Sequence, residues 1–137
     1  MEGAYVIILD THALIWWVNG DGRLSKKAKN AIDKELAAGG QVLVSAISAW
    51  EVAMLVEKGR LGLTMDLDEW IKTVASIDCV SFVPVDTDVA IQSVRLPGEL
   101  HSDPADRLIV SLARQLSAPL ITADSKISAY RHVKTIW

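Results

Sequence analysis

The stretch Tyr5-Val6-Ile7-Ile8-Leu9-Asp10 is a short, uninterrupted apolar run that ends on an acid. A run without polar alternation is typical of a strand that is buried on both faces. The next residues, 11–18, have the pattern of a short helix, and a turn cluster closes this helix at residues 19–22. A buried strand followed at once by a helix predicts an α/β fold.

The rest of the chain repeats this alternation. Short apolar runs predict further strands at residues 42–44, 80–85, 119–123 and 133–136. Helical spacing and capping signals predict helices at residues 25–38, 49–58, 67–77, 87–96 and 103–116. Together these elements predict a three-layer α/β/α sandwich around a central, mostly parallel sheet of four to five strands. In open sheets of this type, ligands bind beyond the carboxyl ends of the strands.

Composition limits the class of protein. The 137 residues are 50% hydrophobic and 23% charged with a net charge of −3, which predicts a single packed domain over residues 1–137 and excludes disorder. The apolar runs are far shorter than the ~20 residues that cross a bilayer, and Glu2 stands where a leader peptide would be basic. Cys79 is the only cysteine, so we expect a reducing cytoplasm. The acidic balance argues against a wholly basic nucleic-acid surface.

Acidic side chains follow several of the predicted strands. Asp10 comes directly after the first strand, and Asp124 directly after the fourth. Glu51 lies in the first or second turn of the helix after the second strand, while Asp103 and Asp106 begin another helix. Because the carboxyl ends of parallel strands share one edge, we expect these acids to converge there.

Carboxylates gathered in this way repel one another and raise each other's pKa values unless a cation neutralises them. Mg²⁺ prefers such hard oxygen ligands, and Mn²⁺ accepts them as well. One such ion can activate water, and a second, roughly 4 Å away, can stabilise the leaving oxygen of a phosphodiester. The pattern therefore favours metal-assisted phosphodiester hydrolysis.

Each acid also has a simpler structural interpretation. Ser48 and Glu51 match a capping box, in which the glutamate only bonds a backbone amide. Asp103 is a potential helix cap, and Asp106 is a first-turn acid that complements the helix dipole. The acids after the first and fourth strands could likewise form turns or caps. A non-catalytic binding module is therefore a second hypothesis.

A receiver-like or phosphatase-like domain is a third hypothesis, because such domains also place an aspartate with Mg²⁺ after their first strand. The phosphatase pattern requires a second aspartate two positions on, where His12 stands. A receiver requires an acid pair near the end of the first strand, and Ile8 and Leu9 precede Asp10 instead. This hypothesis is the weakest of the three.

Four motifs together resemble the PIN-domain family. They are Ile7-Ile8-Leu9-Asp10-Thr11-His12, Ser48-Ala49-Trp50-Glu51-Val52, His101-Ser102-Asp103-Pro104-Ala105-Asp106-Arg107-Leu108-Ile109 and Leu120-Ile121-Thr122-Ala123-Asp124. Their order and spacing match the family over essentially the whole chain from Val6. More narrowly, they resemble the VapC-type toxins of bacterial and archaeal toxin–antitoxin modules. The one departure is Ala105, where relatives often carry a bulkier residue, and it removes no ligand.

The resemblance implies a Mg²⁺- or Mn²⁺-dependent endoribonuclease that cleaves RNA. It implies a cognate antitoxin as partner and a homodimer. The metal-binding and catalytic acids that it implies are Asp10, Glu51, Asp106 and Asp124.

Three further residues are candidates for a supporting role. Asp103 lies one helical turn before Asp106 and either assists it or only caps the helix. Thr122 is expected to bond a carboxylate or a metal-bound water. Arg107 is expected to bind a phosphate or to pair with an acid.

Tryptophan is abundant, with five residues in the chain. Trp50 and Trp70 lie on predicted helices and are expected in the core. Trp16 and Trp17 are adjacent on a helix and cannot both face the core, so one of them is expected to be exposed. An exposed aromatic side chain is a candidate contact for the antitoxin.

Overall fold

A computed structural model describes residues 5–137, so that Glu2 lies outside the described residues. It contains a five-stranded sheet whose strands are β1 (Val6–Leu9), β2 (Gln41–Ser45), β3 (Val80–Val83), β4 (Leu120–Ile121) and β5 (Thr135–Ile136). The helices are α1 (Thr11–Val18), α2 (Lys26–Ala37), α3 (Ala46–Glu57), α4 (Leu67–Ser76), α5 (Thr87–Val94), α6 (Pro104–Gln115) and α7 (Ser125–Ser128). None of these helices is long and apolar enough to cross a bilayer.

The sheet is parallel throughout, with the strand order β3-β2-β1-β4-β5. The central strand β1 pairs with β2 on one side and with β4 on the other, and Leu9 stands in register with both Val44 and Ile121. The chain therefore winds outward in two directions from β1. Ligands of doubly wound sheets bind at this reversal, beyond the carboxyl ends of the strands.

Helices cover both faces of the sheet, which confirms the predicted three-layer α/β architecture. Along β1, Ile7 and Leu9 face the core formed with α1 to α4, whereas Ile8 faces the core formed with α5 to α7. This alternation follows from the two-residue period of a strand. Because β1 is buried on both faces, its carboxyl end is held in place by the two cores. Asp10 directly follows this end, at the carboxyl edge of the sheet.

The structure corrects the start of α3 and adds one helix. The helix was predicted from residue 49, but it begins at Ala46, because the Ser45 hydroxyl caps it by accepting from the Ile47 amide at 3.2 Å. Ser48 consequently lies inside the helix and is not its cap. The four-residue helix α7 was not predicted, because its length is too short to show a helical period.

The tryptophans only partly follow the predictions. Trp70 is buried as expected, and its indole nitrogen donates to Asn19 Oδ1 at 3.3 Å. The prediction for Trp50 is wrong, since this side chain is 56% exposed. The buried stripe of α3 carries Ser48 and Val52, and a residue midway between them points to the opposite side of the helix. Trp16 and Trp17 are both half-buried, so neither is the exposed residue that was predicted.

Candidate active site

An open pocket of about 400 Å³ lies at the carboxyl edge of the sheet. Its lining contains all five predicted acids, and the complete set is Asp10, Thr11, His12, Trp16, Glu51, Asp103, Asp106, Ala123 and Asp124. These residues come from the continuous segment that joins the end of β1 to α1, from α3, from the start of α6 and from the segment after β4. Four separate parts of the chain thus meet at the point where the strand order reverses.

Asp10 is held by the ends of both β1 and β4. One of its carboxylate oxygens accepts from the Ala13 amide at 2.9 Å and so caps α1, and the other accepts from the Thr122 hydroxyl. Burial raises the pKa of Asp10, and the hydrogen bonds from Thr122 and Ala13 oppose this rise. Thr122 is fully buried and also accepts from the Asp124 amide at 3.0 Å, so its hydroxyl links two of the acids. Of the two roles predicted for Thr122, bonding a carboxylate is the one the structure shows.

Glu51 lies in the second turn of α3 and is half-buried. Its carboxylate accepts from the hydroxyl of Thr11, the first residue of α1. Thr11 Oγ1 also lies 2.9 Å from Ser48 Oγ, and because a hydroxyl has one proton, Thr11 donates to the charged group and accepts from the serine. Burial raises the pKa of Glu51, the bond from Thr11 lowers it, and the charges of Asp106 and Asp103 raise it further.

Glu51 is therefore not the second half of a capping box with Ser48. Thr11 and Ser48 contribute to the site through these contacts, and neither was predicted from the sequence. The position of Thr11 directly after the first acid could have indicated its role. The role of Ser48 depends on the packing of α3 against α1, which the sequence does not show.

The first turn of α6 contributes two acids. Asp103 caps the helix, accepting from the Asp106 amide at 2.9 Å, and Pro104 occupies the first helical position. Asp106 Oδ2 lies 2.7 Å from His101 Nε2. Burial raises the pKa of Asp106, the His101 contact lowers it, and the charges of Asp103 and Asp124 raise it. Asp103 thus both caps the helix and lines the pocket.

Asp124 caps the short helix α7. One of its carboxylate oxygens accepts from the Lys126 amide at 2.8 Å and from the Ile127 amide at 2.9 Å. Capping interactions consequently occupy three of the five acids, namely Asp10, Asp103 and Asp124. They do not account for Glu51 or Asp106, which bond to side chains instead.

The pocket carries negative charge that no lysine or arginine within residues 5–137 neutralises by an ion pair. Across residues 5–137, the ion pairs are Arg23 with Asp21, Lys29 with Asp33, and His101 with Asp106. Only the last of these involves an acid of the pocket. Backbone amides at the start of α1 and α6 point toward the acids and offset part of their repulsion, because helix N-termini carry partial positive charge. The remaining charge favours a cation.

The donor set fits a hard divalent cation, although the side chains do not form a closed cage. In the part of the chain described here, no three His, Cys, Asp or Glu side chains are arranged to enclose a metal ion. Mg²⁺ keeps several of its waters and commonly takes only one or two carboxylates directly, so it does not require such a cage. Carboxylates from several segments around an open pocket match this mode of binding.

Across residues 5–137, Arg107 forms no ion pair with an acid, which was one of the two roles predicted for it. Its guanidinium donates to the Ser93 carbonyl at 2.9 Å and to the Leu100 carbonyl at 2.8 Å. It is not among the residues that line the acidic pocket. Arg107 therefore fixes the loop that carries His101 to α5.

We expect Arg107→Ala to lower the free energy of unfolding by about 1–3 kcal/mol, because two carbonyl groups lose a charged donor. Urea unfolding followed by circular dichroism measures this change. Arg95→Ala is the matched control, since Arg95 is exposed and its replacement should change stability by no more than about 0.5 kcal/mol. Unchanged stability in Arg107→Ala together with weaker RNA binding would instead support the phosphate role.

Comparisons with known proteins agree with this architecture. The family model of the PIN domain matches residues 7–133. A ribonuclease named VapC22 from Mycobacterium tuberculosis is 34% identical over 133 residues, which cover 96% of this chain and 98% of that protein.

Solved structures with the same fold include a toxin–antitoxin complex from Klebsiella pneumoniae, with a TM-score of 0.63 and 21% identity over 93% of this chain and 94% of that one. Another is VapBC2 from Rickettsia felis bound to a promoter DNA fragment, with a TM-score of 0.68 and 17% identity over 95% and 96% of the two chains. At these identities the two structures support the fold alone.

The fold and the pocket define an α/β protein with a cluster of acids at the reversal of a parallel sheet. The chain belongs to the PIN domain family. The similarity to VapC22 confirms the narrower resemblance to VapC-type proteins that the four motifs predicted. Family membership gives no support to the receiver-like or phosphatase-like alternative.

Proposed function

We propose that this protein is a Mg²⁺- or Mn²⁺-dependent endoribonuclease and the toxin of a toxin–antitoxin pair. The observation that supports this most strongly is the convergence of Asp10, Glu51, Asp106 and Asp124 on one pocket. The similarity to VapC22, a ribonuclease by name, supports the same reaction class.

The contacts of Glu51 and Asp106 argue for chemistry over helix capping. Neither carboxylate caps a helix, and each carries a raised pKa because it is partly buried near other acids. Bringing like charges together lowers the free energy of unfolding, and a purely structural role gives no reason to keep the acids so close. Perturbed acids that line a pocket are typical of functional sites.

In this proposal Asp10, Glu51, Asp106 and Asp124 would hold the cation, one or two of them directly and the others through its waters. The bound ion would supply activation of water and charge stabilisation at the scissile phosphate. The chain's own contribution is to fix the donor oxygens in place. Thr122 orients Asp10, Thr11 orients Glu51 and His101 orients Asp106, so that the carboxylates need little rearrangement when RNA enters.

Metal dependence is tested by RNA cleavage and thermal unfolding with Mg²⁺, with Mn²⁺ and with a chelator. We expect cleavage only with the metals. At a metal concentration 100 times its Kd, the folded state gains about 2.7 kcal/mol by mass action, which raises Tm by several degrees. NaCl at matched ionic strength is the control, because simple screening of the acids also stabilises the fold.

A non-catalytic module, in which the acids only cap helices, remains the second candidate function because the contacts of Asp10, Asp103 and Asp124 favour it. This candidate predicts no cleavage of any RNA pool and no rise of Tm with Mg²⁺ beyond that in matched NaCl. Cleavage that survives the chelator would contradict the proposed metal site and leave the nuclease activity standing.

We further propose that the protein acts in the cytoplasm as a homodimer and that a cognate antitoxin inhibits it. The structural neighbour from Klebsiella pneumoniae is a toxin–antitoxin complex by description, which supports this class of partner. A small DNA-binding protein encoded beside this reading frame, able to co-purify with the chain and to block cleavage, is the expected partner. Size-exclusion chromatography with light scattering measures the oligomeric state.

A further inference from the structure

Aromatic and cationic side chains surround Trp16 at one side of the acidic pocket, and two of them, Trp16 and His12, belong to the pocket lining. Trp16 lines the pocket directly. The His12 ring and the Trp137 ring each lie 5.7 Å from the Trp16 ring, measured between centroids, and both are tilted against it. The Arg23 guanidinium carbon lies 5.2 Å from the centre of the Trp16 ring. We call these four residues the aromatic rim.

The aromatic rim is open to solvent and is not simply an extension of the core. Trp16 and Trp137 pack partly against the core on the α1 to α4 side and are half-buried. His12 is exposed, and the Arg23 side chain is 70% exposed. Arg23 therefore reaches Trp16 from the solvent side, where a ligand could take its place.

We propose that the aromatic rim binds one unstacked base of the RNA strand next to the phosphate that lies among the acids. The inference rests on the proposed ribonuclease function and adds a subsite that holds the substrate.

The chemistry of single-stranded RNA fits this surface. Proteins hold such strands by stacking bases on aromatic rings and on arginine, and they hold the backbone with positive charge. Stacking of a base on an aromatic ring is stronger than a cation–π contact at an exposed site. A base can therefore displace Arg23 from Trp16, while the guanidinium stays paired with the Asp21 carboxylate at 2.7 Å. The pocket itself is negative, so this rim gives the strand an aromatic contact that the acids cannot provide.

The position of Trp16 favours RNA over a segment of the antitoxin. Trp16, His12 and the carboxylates line one continuous pocket, so an occupant of the rim also touches the acids. A nucleotide has both parts that this arrangement requires, a flat base for Trp16 and a phosphate for the metal-loaded acids.

The test compares Trp16→Ala, Trp16→Phe and Trp50→Ala. Trp50 is the matched control, because it is an exposed tryptophan that does not line the pocket. Short single-stranded RNAs that span a mapped cleavage site are used, each with an abasic nucleotide at one position in turn. Steady-state kinetics give KM and kcat separately. Binding to the Asp10→Asn form, followed by fluorescence anisotropy, gives a readout that needs no cleavage.

We expect Trp16→Ala to raise KM and to weaken binding by about 5- to 100-fold, which is the loss of one stacked base. Trp16→Phe should retain most of the affinity. In the parent, an abasic nucleotide at one position should weaken binding as much as Trp16→Ala weakens binding of intact RNA. In Trp16→Ala, the abasic nucleotide at that position should cause no further loss of affinity. This loss of sensitivity assigns the base at that position to Trp16, since a substitution that weakened binding elsewhere would leave the effect of the abasic nucleotide unchanged.

Other results separate this inference from the proposed function. Normal cleavage by the parent, with Trp16→Ala equal to Trp50→Ala, overturns the inference and leaves the nuclease standing. The inference is also overturned if Trp16→Ala binds RNA normally but no longer binds an antitoxin peptide. Base-dependent binding through Trp16 without cleavage supports the inference while the nuclease proposal fails. If the parent shows no cleavage and RNA binding does not depend on Trp16, both the inference and the nuclease proposal are overturned.

Discussion

Asp10→Asn is expected to lower the rate of RNA cleavage by more than about 100-fold and to leave the fold intact. Partners that only orient metal ligands are typically worth about 10- to 100-fold, so the loss of a ligand should exceed that range. Asparagine keeps an oxygen that can accept from the Ala13 amide, which is the cap of α1. The substitution therefore removes the charge and retains the local structure.

Asp10→Asn should also be at least as stable as the parent at neutral pH in the presence of a chelator. Burial raises the pKa of Asp10 above its ordinary value of 3.8, so the folded chain binds this proton more tightly than the unfolded chain. The contribution of Asp10 to the free energy of unfolding consequently falls as pH increases from the unfolded pKa through the raised folded pKa. Above that window the buried charge destabilises the fold.

Thermal unfolding of both proteins at several pH values between the unfolded pKa of Asp10 and neutrality measures this effect. The stability advantage of Asp10→Asn should be largest near neutral pH and should shrink toward the acidic end of the series. A variant that cleaves RNA as fast as the parent would show that Asp10 is not a ligand. A variant that unfolds much earlier at neutral pH would show that Asp10 acts mainly as a helix cap.

The architecture of this protein could be predicted from local patterns because its elements are short and well punctuated. The run before Asp10 has no polar residue, and Asp103-Pro104 combines a cap with a proline at the first helical position. Both signals act within a few residues of sequence. The position of each acid at a strand end or helix start followed from the same signals, and the parallel topology then placed the acids at one edge.

The contacts among these residues could not be predicted, because they depend on how the layers pack. Thr11 meets Glu51 only because α1 and α3 lie side by side, and nothing in either segment indicates this contact. Arg107 follows an acid of the site in sequence, but its side chain leaves the helix toward Ser93 and Leu100. The exposure of Trp50 could not be predicted for the same reason, because it depends on which face of α3 packs against the rest of the fold.

Thr122→Val should destabilise the fold by about 2–4 kcal/mol and impair cleavage, although it conserves the size of a fully buried side chain. The Thr122 hydroxyl donates to Asp10 and accepts from the Asp124 amide. Valine leaves a buried charge without one of its donors and an amide without its acceptor. Thr122→Ser is the matched control, because it keeps the hydroxyl and loses only a methyl group, worth about 1 kcal/mol.

The pH dependence of cleavage separates the role of this hydroxyl from its packing. The bond from Thr122 lowers the pKa of Asp10, so its loss should raise that pKa further. In the proposed mechanism cleavage requires the ionised carboxylate, and the acidic limb of the rate profile should therefore move to higher pH in Thr122→Val and stay in place in Thr122→Ser. An unmoved acidic limb in both variants would contradict a role for Thr122 in setting the charge of Asp10.

A double-variant cycle then measures how much of the effect depends on that charge. In the Asp10→Asn background no buried charge is left without its donor, so Thr122→Val should cost less free energy of unfolding than it does in the parent. Residues in direct contact typically show coupling of about 0.5–3 kcal/mol in such cycles. Equal costs in the two backgrounds would mean that Thr122 acts through packing and through the Asp124 amide alone. A smaller cost in the Asp10→Asn background would mean that the Thr122 hydroxyl stabilises the charge of Asp10 at the edge of the sheet, where the proposed metal-dependent nuclease needs it.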